Sequence, residues 1–393
     1  MKVLHLIDSG GLYGAEKMLL SLATEQQALG LDVTILSAGE HGCGEKPIEA
    51  EAARLGLKII AWRMKPGLNI KSMLKLVRWA RAKQFELLHS HGYKFNILTA
   101  IMPRKFLCIP VVTTLHGFVR ARRYTKMWFY ELLDRFALKR LDAVCPVSES
   151  MRDEITPWVA SHTIVQVVSN GLDLREIHRH ADDSLAPTEI KEFIAHHSPV
   201  VVGVGRLSHE KGFDLLIGSF ATVKEYWPKA GLIIVGEGPM RSELRKKADE
   251  TGLSDSCLMP GYVANIPSIL SAASVLVLSS RTEGLPITLL EAMAVGVPVV
   301  ASDVGAIPSV LEEGELGRLT PAGDCNALAN SITETLTDSA SAHRKTEAAR
   351  SHVEACYSAR TMAQTYTDVY RSVLGRDGGH LRNGTSTEAV SNG

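Results

Sequence analysis

The sequence predicts two doubly wound α/β domains, and three observations lead to that fold class. Short β-branched apolar runs alternate with longer amphipathic segments, the pattern of buried parallel strands joined by crossover helices. The runs fall into two series, separated by a polar stretch without a strand from Leu172 to Ser198. Most runs close in a small, polar or glycine-rich turn, and ligands of open α/β sheets bind at such strand ends.

The first series is Val3–Ile7, Val33–Leu36, Lys58–Ala61, Leu87–His89, Val111–Leu115, Ala143–Val147 and Ile164–Val168, which places an N-terminal domain over residues 1–171. Its first crossover helix, Ala15–Leu29, carries the apolar face Ala15, Met18, Leu19, Leu22 and Ala23. A second amphipathic helix has Ile70, Met73, Leu74, Val77 and Ala80 at helical spacing, with Lys71, Lys75, Arg78 and Arg81 on other faces. Residues 172–198 read as a solvated linker, since His178, His180, His196 and His197 match no metal-ligand spacing. The second series is Val200–Val204, Leu232–Val235, Leu258–Met259, Val275–Leu278 and Val297–Ala301. Helices are expected at Phe213–Lys224, Met240–Thr251 and Leu285–Val295, completing a domain over residues 199–358. After Leu374, the Gly-, Asn-, Ser- and Thr-rich tail 375–393 is expected to be disordered.

Composition narrows the function. With 393 residues, 45% hydrophobic and 22% charged, the chain is an ordinary globular protein, and bulk disorder or a fibrous repeat is excluded. No apolar run approaches the roughly 18 residues of a membrane span, and Val3–Ile7 is too short for a signal peptide, so a cytoplasmic protein is expected. Six scattered cysteines without a C-x-x-C pair argue against zinc and against a disulfide framework. The net charge is zero, yet Arg54 to Arg140 holds 19 basic residues and three acidic ones, a surface suited to an anionic partner. Arg120, Arg122 and Arg123 lie close to Trp128 and three other aromatics, the composition of a surface resting on anionic headgroups. Nothing resembles a nucleic-acid module, so nucleic acid is not expected as a partner.

Three turns carry chemistry. Gly10-Gly11-Leu12-Tyr13-Gly14 lets backbone N–H groups approach an anion at a helix start, although the adjacent glycines do not make the dinucleotide fingerprint G-x-G-x-x-G. Gly205-Arg206 with Lys211 sets two cations five residues apart at a strand end, where they suit a diphosphate; a surface charge pair is the plain alternative. Glu283-Gly284-Leu285-Pro286 precedes a largely apolar helix containing Glu291, and a carboxylate there can accept hydrogen bonds from vicinal hydroxyls. His116 closes its strand directly before Gly117 and is a candidate for substrate contact; His89 and His91 are weaker candidates. Glu237-Gly238 ends a further strand of the second domain.

Taken in order, Gly10-Gly11, His116-Gly117, Ser169-Asn170-Gly171, Gly205-Arg206-Leu207 with Glu210-Lys211-Gly212, Gly236-Glu237-Gly238-Pro239, and Glu283 with Glu291 resemble the retaining GT-B glycosyltransferases of family 4 over nearly all of residues 1–375. The resemblance implies two Rossmann-like domains facing across a cleft and a final helix, at about 359–374, packing back on the first of them. It also implies a nucleotide-diphosphate sugar donor, with Arg206 and Lys211 on the diphosphate, Glu291 on the ribose and Glu283 on the donor sugar. Gly11 would lie over the diphosphate, and His116 would meet the transferred sugar. Ala306, Ser309 and Leu285 depart from the family's usual residues at their positions, which weakens any inference about the sugar.

The expected activity is retaining transfer of a hexose or hexosamine to a saccharide or lipid-linked acceptor. Arg206, Lys211 and the helix start at Gly284 would offset the charge on the departing diphosphate, and the chain has no D-x-D cluster, so neither metal nor cofactor is expected. A GT-B epimerase, a nicotinamide-dependent dehydrogenase and a non-catalytic sugar-nucleotide sensor are the alternatives; the missing glycine fingerprint disfavours the dehydrogenase.

Overall fold

The computed structural model describes residues 1–8, 11–12, 14–116 and 125–381, with Lys126, Met127, Ser150 and residues 376–381 described by their backbone alone. The chain divides into two compact units, residues 1–171 with 359–393 and residues 172–358. Unit 1 is built on β1 (Lys2–Asp8), β2 (Asp32–Glu40), β3 (Lys58–Met64), β4 (Leu87–Ser90), β5 (Val111–Leu115), β6 (Ala143–Pro146) and β7 (Ile164–Val165). Unit 2 is built on β8 (Val200–Val204), β9 (Gly231–Val235), β10 (Cys257–Gly261), β11 (Val275–Leu278), β12 (Val299–Ser302) and β13 (Arg318–Thr320). The sheet orders are β3-β2-β1-β4-β5-β6-β7 and β10-β9-β8-β11-β12-β13, and the strand pairs are parallel. Both sheets are therefore Rossmann-like. The strand order reverses between β1 and β4 and between β8 and β11, and the carboxyl ends at those two points are where such folds hold ligands.

Each sheet is covered on both faces, as its near-continuous apolar strands require. In unit 1 the helix Gly14–Ala28 and the C-terminal helix Ala359–Leu381 share one face, where Leu19, Leu22, Ala363, Tyr366 and Tyr370 are buried. On the other face Met73, Leu76, Val77 and Ala80 of the helix Ile70–Ala82 are buried, while Lys71, Lys75, Arg78 and Arg81 stay exposed. That basic helix thus packs as an ordinary amphipathic element.

Three features differ from the sequence expectation. Residues 172–198, read as a linker, contain the helices Leu174–His180 and Thr188–His196, and Ile177 and Ile190 are buried in the core of unit 2. Their polar composition reflects one-sided burial. Strand β13 has one fully buried residue among three and so carried too little apolar signal to read. The C-terminal helix runs on to Leu381, past the expected end at 374; the rest of the expected tail, residues 382–393, lies outside the described residues.

The helix Lys126–Leu138 is unusual in what it buries. Its inward face holds Asp134 beside Ala137 and Leu138, and Asn96 Nδ2 donates to the Asp134 carboxylate at 2.9 Å. Burial pushes the Asp134 carboxyl up to about 6, against the opposing Asn96 hydrogen bond. Asp134 therefore favours the fold while protonated, and that contribution is lost as pH rises from the ordinary carboxyl range through about 6. Asn96 Oδ1 is buried with no hydrogen-bond partner among the described residues, so an amide at position 134 could satisfy it. Asp134→Asn should raise stability by on the order of 2 kcal/mol, roughly 4 to 8 °C in Tm, at about pH 8, and by little at about pH 4. Thermal melts of both proteins at the two pH values check this; an equal shift at both would overturn it.

Candidate active site

In unit 2 the site is assembled at the reversal between β8 and β11. The turn after β8 carries Gly205 and Arg206 and leads into a short 3-10 turn, His209–Lys211. The loop after β11 carries Ser279, Ser280, Arg281, Glu283, Gly284 and Leu285. Arg281 joins the two loops: its guanidinium donates to both Asp214 carboxylate oxygens at 2.8 and 2.7 Å and to the His209 carbonyl at 2.9 Å. The Arg281 backbone N–H donates to the Glu210 carbonyl, and the Ser279 hydroxyl donates to the Lys211 carbonyl. At Gly212 the loops approach so closely that a Cβ would stand 2.0 Å from the Ser279 carbonyl oxygen, at a φ of +62°. These contacts hold the Lys211 backbone in place whatever its side chain does.

Lys211 Nζ lies 2.5 Å from Glu283 Oε1, which also accepts from the Ser280 hydroxyl at 2.8 Å. The Glu283 side chain is only 7% exposed. Two residues expected to meet different parts of one ligand are thus each other's partners. Arg206 is exposed and has no ion-pair partner among the described residues. Glu291 is half-buried in the helix Ile287–Val295, whose start falls later than the expected Leu285 because Pro286 occupies an extended N-cap. Leu285 packs against the core. Gly284 is exposed, with no atom of the described residues near where a Cβ would stand, so their packing does not require a glycine there. Gly238 is different, since its Cβ would stand 2.3 Å from the Leu207 carbonyl oxygen and its smallness serves loop packing. Glu237 is engaged at the surface by Arg241, at 3.0 Å.

In unit 1, Gly11 is buried, and Gly14 opens the first helix with no atom of the described residues where a Cβ would stand. His116 follows β5. Its Nε2 is buried without a hydrogen-bond partner among the described residues, and its ring stacks on that of His91 at 5.7 Å between centroids. Burial lowers the His116 imidazole to about 4, against the opposing charge of Glu16, so the ring is neutral at physiological pH. Gly10, Gly117, Arg120, Arg122 and Arg123 lie outside the described residues, whereas Trp128 is half-buried and meets Phe129 edge-on at 5.0 Å.

Sequence reasoning missed two groups here. Asp8, at the end of β1, takes Lys94 at 2.6 Å and Lys46 at 3.7 Å, both well buried, and nothing in the spacing of these residues announces it. His5, His89 and His91 offer ligand nitrogens within 4.8 Å of one another, a grouping invisible until β1 and β4 are paired. A cavity of about 270 Å³ lined by His178, Ser271, Val297 and Arg350 lies at the amino ends of β11 and β12, at the other edge of the sheet from the loops described.

The family model described as Glycosyltransferase Family 4 matches residues 13–176, and that described as Glycosyl transferases group 1 matches residues 188–352. The lipopolysaccharide core biosynthesis mannosyltransferase LpcC of Rhizobium leguminosarum bv. viciae is 31% identical over 248 residues, covering 61% of this chain and 67% of its own. The chain belongs to glycosyltransferase family 4. This glycosyltransferase is also similar to the N-acetyl-alpha-D-glucosaminyl L-malate synthase of Bacillus anthracis, at 26% identity over 315 residues, 79% of this chain and 81% of the relative. Its fold is that of HepE from Anabaena, solved in complex with UDP, with a TM-score of 0.75 at 21% identity over 95% of this chain and all of the other. The architecture is GT-B, and the activity is glycosyl transfer. No helix among the described residues is long and apolar enough to cross a membrane.

Proposed function

We propose that this glycosyltransferase moves a hexose or hexosamine, with retention of anomeric configuration, from a nucleotide-diphosphate sugar to a saccharide or lipid-linked acceptor in glycan or cell-envelope synthesis. The observation that carries the proposal is the Lys211–Glu283 pair at the reversal of the unit 2 sheet, with exposed Arg206 at the same edge. Lys211 and Arg206 offer the diphosphate two cations, while Glu283 and Glu291 offer acceptors to sugar and ribose hydroxyls. In the same reading Gly11 and Gly14 belong to the donor diphosphate and His116 to the transferred sugar. As the donor bond breaks, charge accumulates on the diphosphate; Lys211 and Arg206 offset it, and a diphosphate oxygen takes the acceptor hydroxyl's proton on the same face. The reaction then needs no divalent metal or other cofactor. The UDP complex of HepE favours a nucleotide donor. A transfer and hydrolysis screen across UDP-, GDP- and ADP-sugars, with and without EDTA and with the product anomer read by NMR, tests this. Inversion, or activity lost to EDTA and restored by a divalent cation, would overturn the mechanism.

The acceptor side favours a cytoplasmic enzyme resting peripherally on an anionic membrane surface. The helix that buries Asp134 turns Phe129, Leu133 and Phe136 outward, 53%, 44% and 51% exposed, with Lys139 over the Phe136 ring. An apolar stripe rimmed by cations suits the boundary between headgroups and acyl chains. Sedimentation with liposomes should show binding that requires anionic lipid and falls with salt. It should weaken both in the Arg120, Arg122, Arg123 triple alanine variant and in Phe129→Ser with Phe136→Ser. No sedimentation with anionic vesicles at low salt would leave a soluble acceptor.

A further inference from the structure

Beneath the carboxyl edge of the unit 1 sheet lies a closed set of buried polar side chains that the proposed mechanism does not use. His5 and His89 are register partners on β1 and β4, and His91 follows β4. Two hydroxyls of the C-terminal helix, from Tyr366 and Tyr370, reach the same set. His5 Nε2 lies 2.8 Å from Gln26 Oε1, and Gln26 Nε2 donates to the Tyr370 hydroxyl at 3.1 Å. The Tyr370 hydroxyl lies 2.6 Å from His89 Nδ1, His89 Nε2 lies 2.8 Å from Thr114 Oγ1, and Thr114 Oγ1 lies 2.6 Å from the Tyr366 hydroxyl. On the other side, His5 Nδ1 lies 2.9 Å from His91 Nε2.

With the Gln26 amide oriented as it is here, proton counting assigns the tautomers of His5, His89 and His91. Burial lowers the His5 imidazole to about 4 and those of His89 and His91 well below the ordinary range, so all three rings are neutral and carry one N–H each. Gln26 Oε1 can only accept, so His5 carries its proton on Nε2 and presents Nδ1 as an acceptor. His91 must then donate from Nε2, which leaves its Nδ1 as a bare lone pair. In the same way Gln26 donates to Tyr370, Tyr370 donates to His89 Nδ1, and His89 donates from Nε2 to Thr114. All the ring nitrogens of His5 and His89 are thereby satisfied. His91 Nδ1 is not: in a residue only 6% exposed it is buried without a partner among the described residues, and the adjacent stacked ring of His116 has its Nε2 in the same condition. Two unpaired ring nitrogens on neighbouring strand ends, at the edge where this fold holds ligands, call for a polar ligand that meets both.

We propose that His91 is a second sugar-contacting, specificity-determining residue, its Nδ1 accepting a hydrogen bond from a hydroxyl of the sugar that His116 meets. Tyr370 is a positioning residue, because the run Tyr370–Gln26–His5 sets which nitrogen of His91 is bare. The inference rests on the proposed function, in which His116 meets the transferred sugar. A metal ion is a poorer occupant of the His5, His89 and His91 trio: four of their six ring nitrogens already face protein partners within 2.9 Å, and a fifth is the His91 nitrogen that faces His5. A hydroxyl needs only the one nitrogen that is free.

The test combines a spectrum with a substrate series, both on the full chain. Two-dimensional NMR of ¹⁵N-histidine-labelled protein, with His91→Gln to assign the ring, should show His91 protonated on Nε2 and bare on Nδ1. The Nδ1 resonance should shift on adding one of UDP-glucose, UDP-N-acetylglucosamine or GDP-mannose, and not with UDP or GDP alone. Tyr370→Phe, which keeps the ring and removes the hydroxyl, should populate the other His91 tautomer in the same spectrum. For whichever of these donors is turned over, monodeoxy analogues at each ring position should include one that costs the wild type about tenfold or more in kcat/KM, a penalty that His91→Gln and His91→Phe abolish. A His91 protonated on Nδ1, a stoichiometric zinc ion retained by the trio, or variants that keep the full deoxy-sugar penalty would each overturn the inference. Wild-type protein inert to all three donors and to ADP-glucose would instead overturn the proposed function, and this inference with it.

Discussion

Lys211→Ala is expected to lower kcat/KM for glycosyl transfer by about ten- to more than a hundredfold, because one charge-assisted contact to the departing diphosphate is lost. The fold should survive the change. The Lys211 backbone is held by the Ser279 hydroxyl, by the Arg281 bridge to Asp214 and by the close packing at Gly212, none of which involves the lysine amine. The substitution also leaves the Glu283 carboxylate, nearly buried, with the Ser280 hydroxyl as its remaining partner in the pair's place. Two effects are therefore mixed in the single variant, and a double-mutant cycle with Glu283→Gln separates them. If the cation acts on the leaving group, the loss falls mainly on kcat and Glu283→Gln does not restore it. If the loss comes from an orphaned carboxylate, Lys211→Ala with Glu283→Gln recovers much of the activity. Steady-state kinetics with Tm as the control for folding decide between these outcomes, and near-wild-type turnover in the single variant would remove Lys211 from the chemistry.

What the sequence revealed of this site depended on how local each signal was. Gly205-Arg206 and Glu283-Gly284 were legible because a strand end and a turn lie within a few residues of the charged group. The pairing of Lys211 with Glu283 was not, since it depends on β8 lying beside β11, a neighbour relation set by sheet order. The same holds for His91. Its meaning depends on His5, from a strand 86 residues away, and on Tyr370, which the chain delivers only with its last described helix. Composition misled in one place. The histidines and aspartates of residues 172–198 read as solvated linker, yet a few apolar positions, Ile177 and Ile190 among them, suffice to seat two short helices on a core. The charge anomaly between Arg54 and Arg140 was likewise legible as a whole but not in its parts. The helix Ile70–Ala82 spends its apolar face on the sheet, whereas Lys126–Leu138 buries a carboxyl and exposes its phenylalanines.

His116→Ala is the second large effect expected, and its pH dependence carries as much information as its size. If the ring meets the transferred sugar as the donor bond breaks, its loss should lower kcat by about ten- to a hundredfold with little change in the KM for the donor. Burial holds the imidazole at about 4, so between about pH 5.5 and 8.5 the wild-type ring stays neutral and offers a fixed hydrogen-bonding pattern. The ratio of wild-type to variant kcat should then be flat across that window. A ring titrating in the ordinary histidine range would give a ratio that changes as pH crosses about 6.5, because the charged and neutral forms would differ in what they offer the sugar. The stabilities of the two proteins should converge at the acid end of the range. The unfolded chain binds a proton near 6.5 that the folded His116 refuses until about 4, so His116 costs folding free energy as pH falls through that interval. His116→Ala removes this cost and should narrow any Tm deficit of the variant at about pH 5 relative to pH 8. A flat rate ratio together with that narrowing places a neutral, buried imidazole at the reacting sugar; equal kinetics at every pH leave His116 a packing residue whose unpaired nitrogen has no substrate to meet.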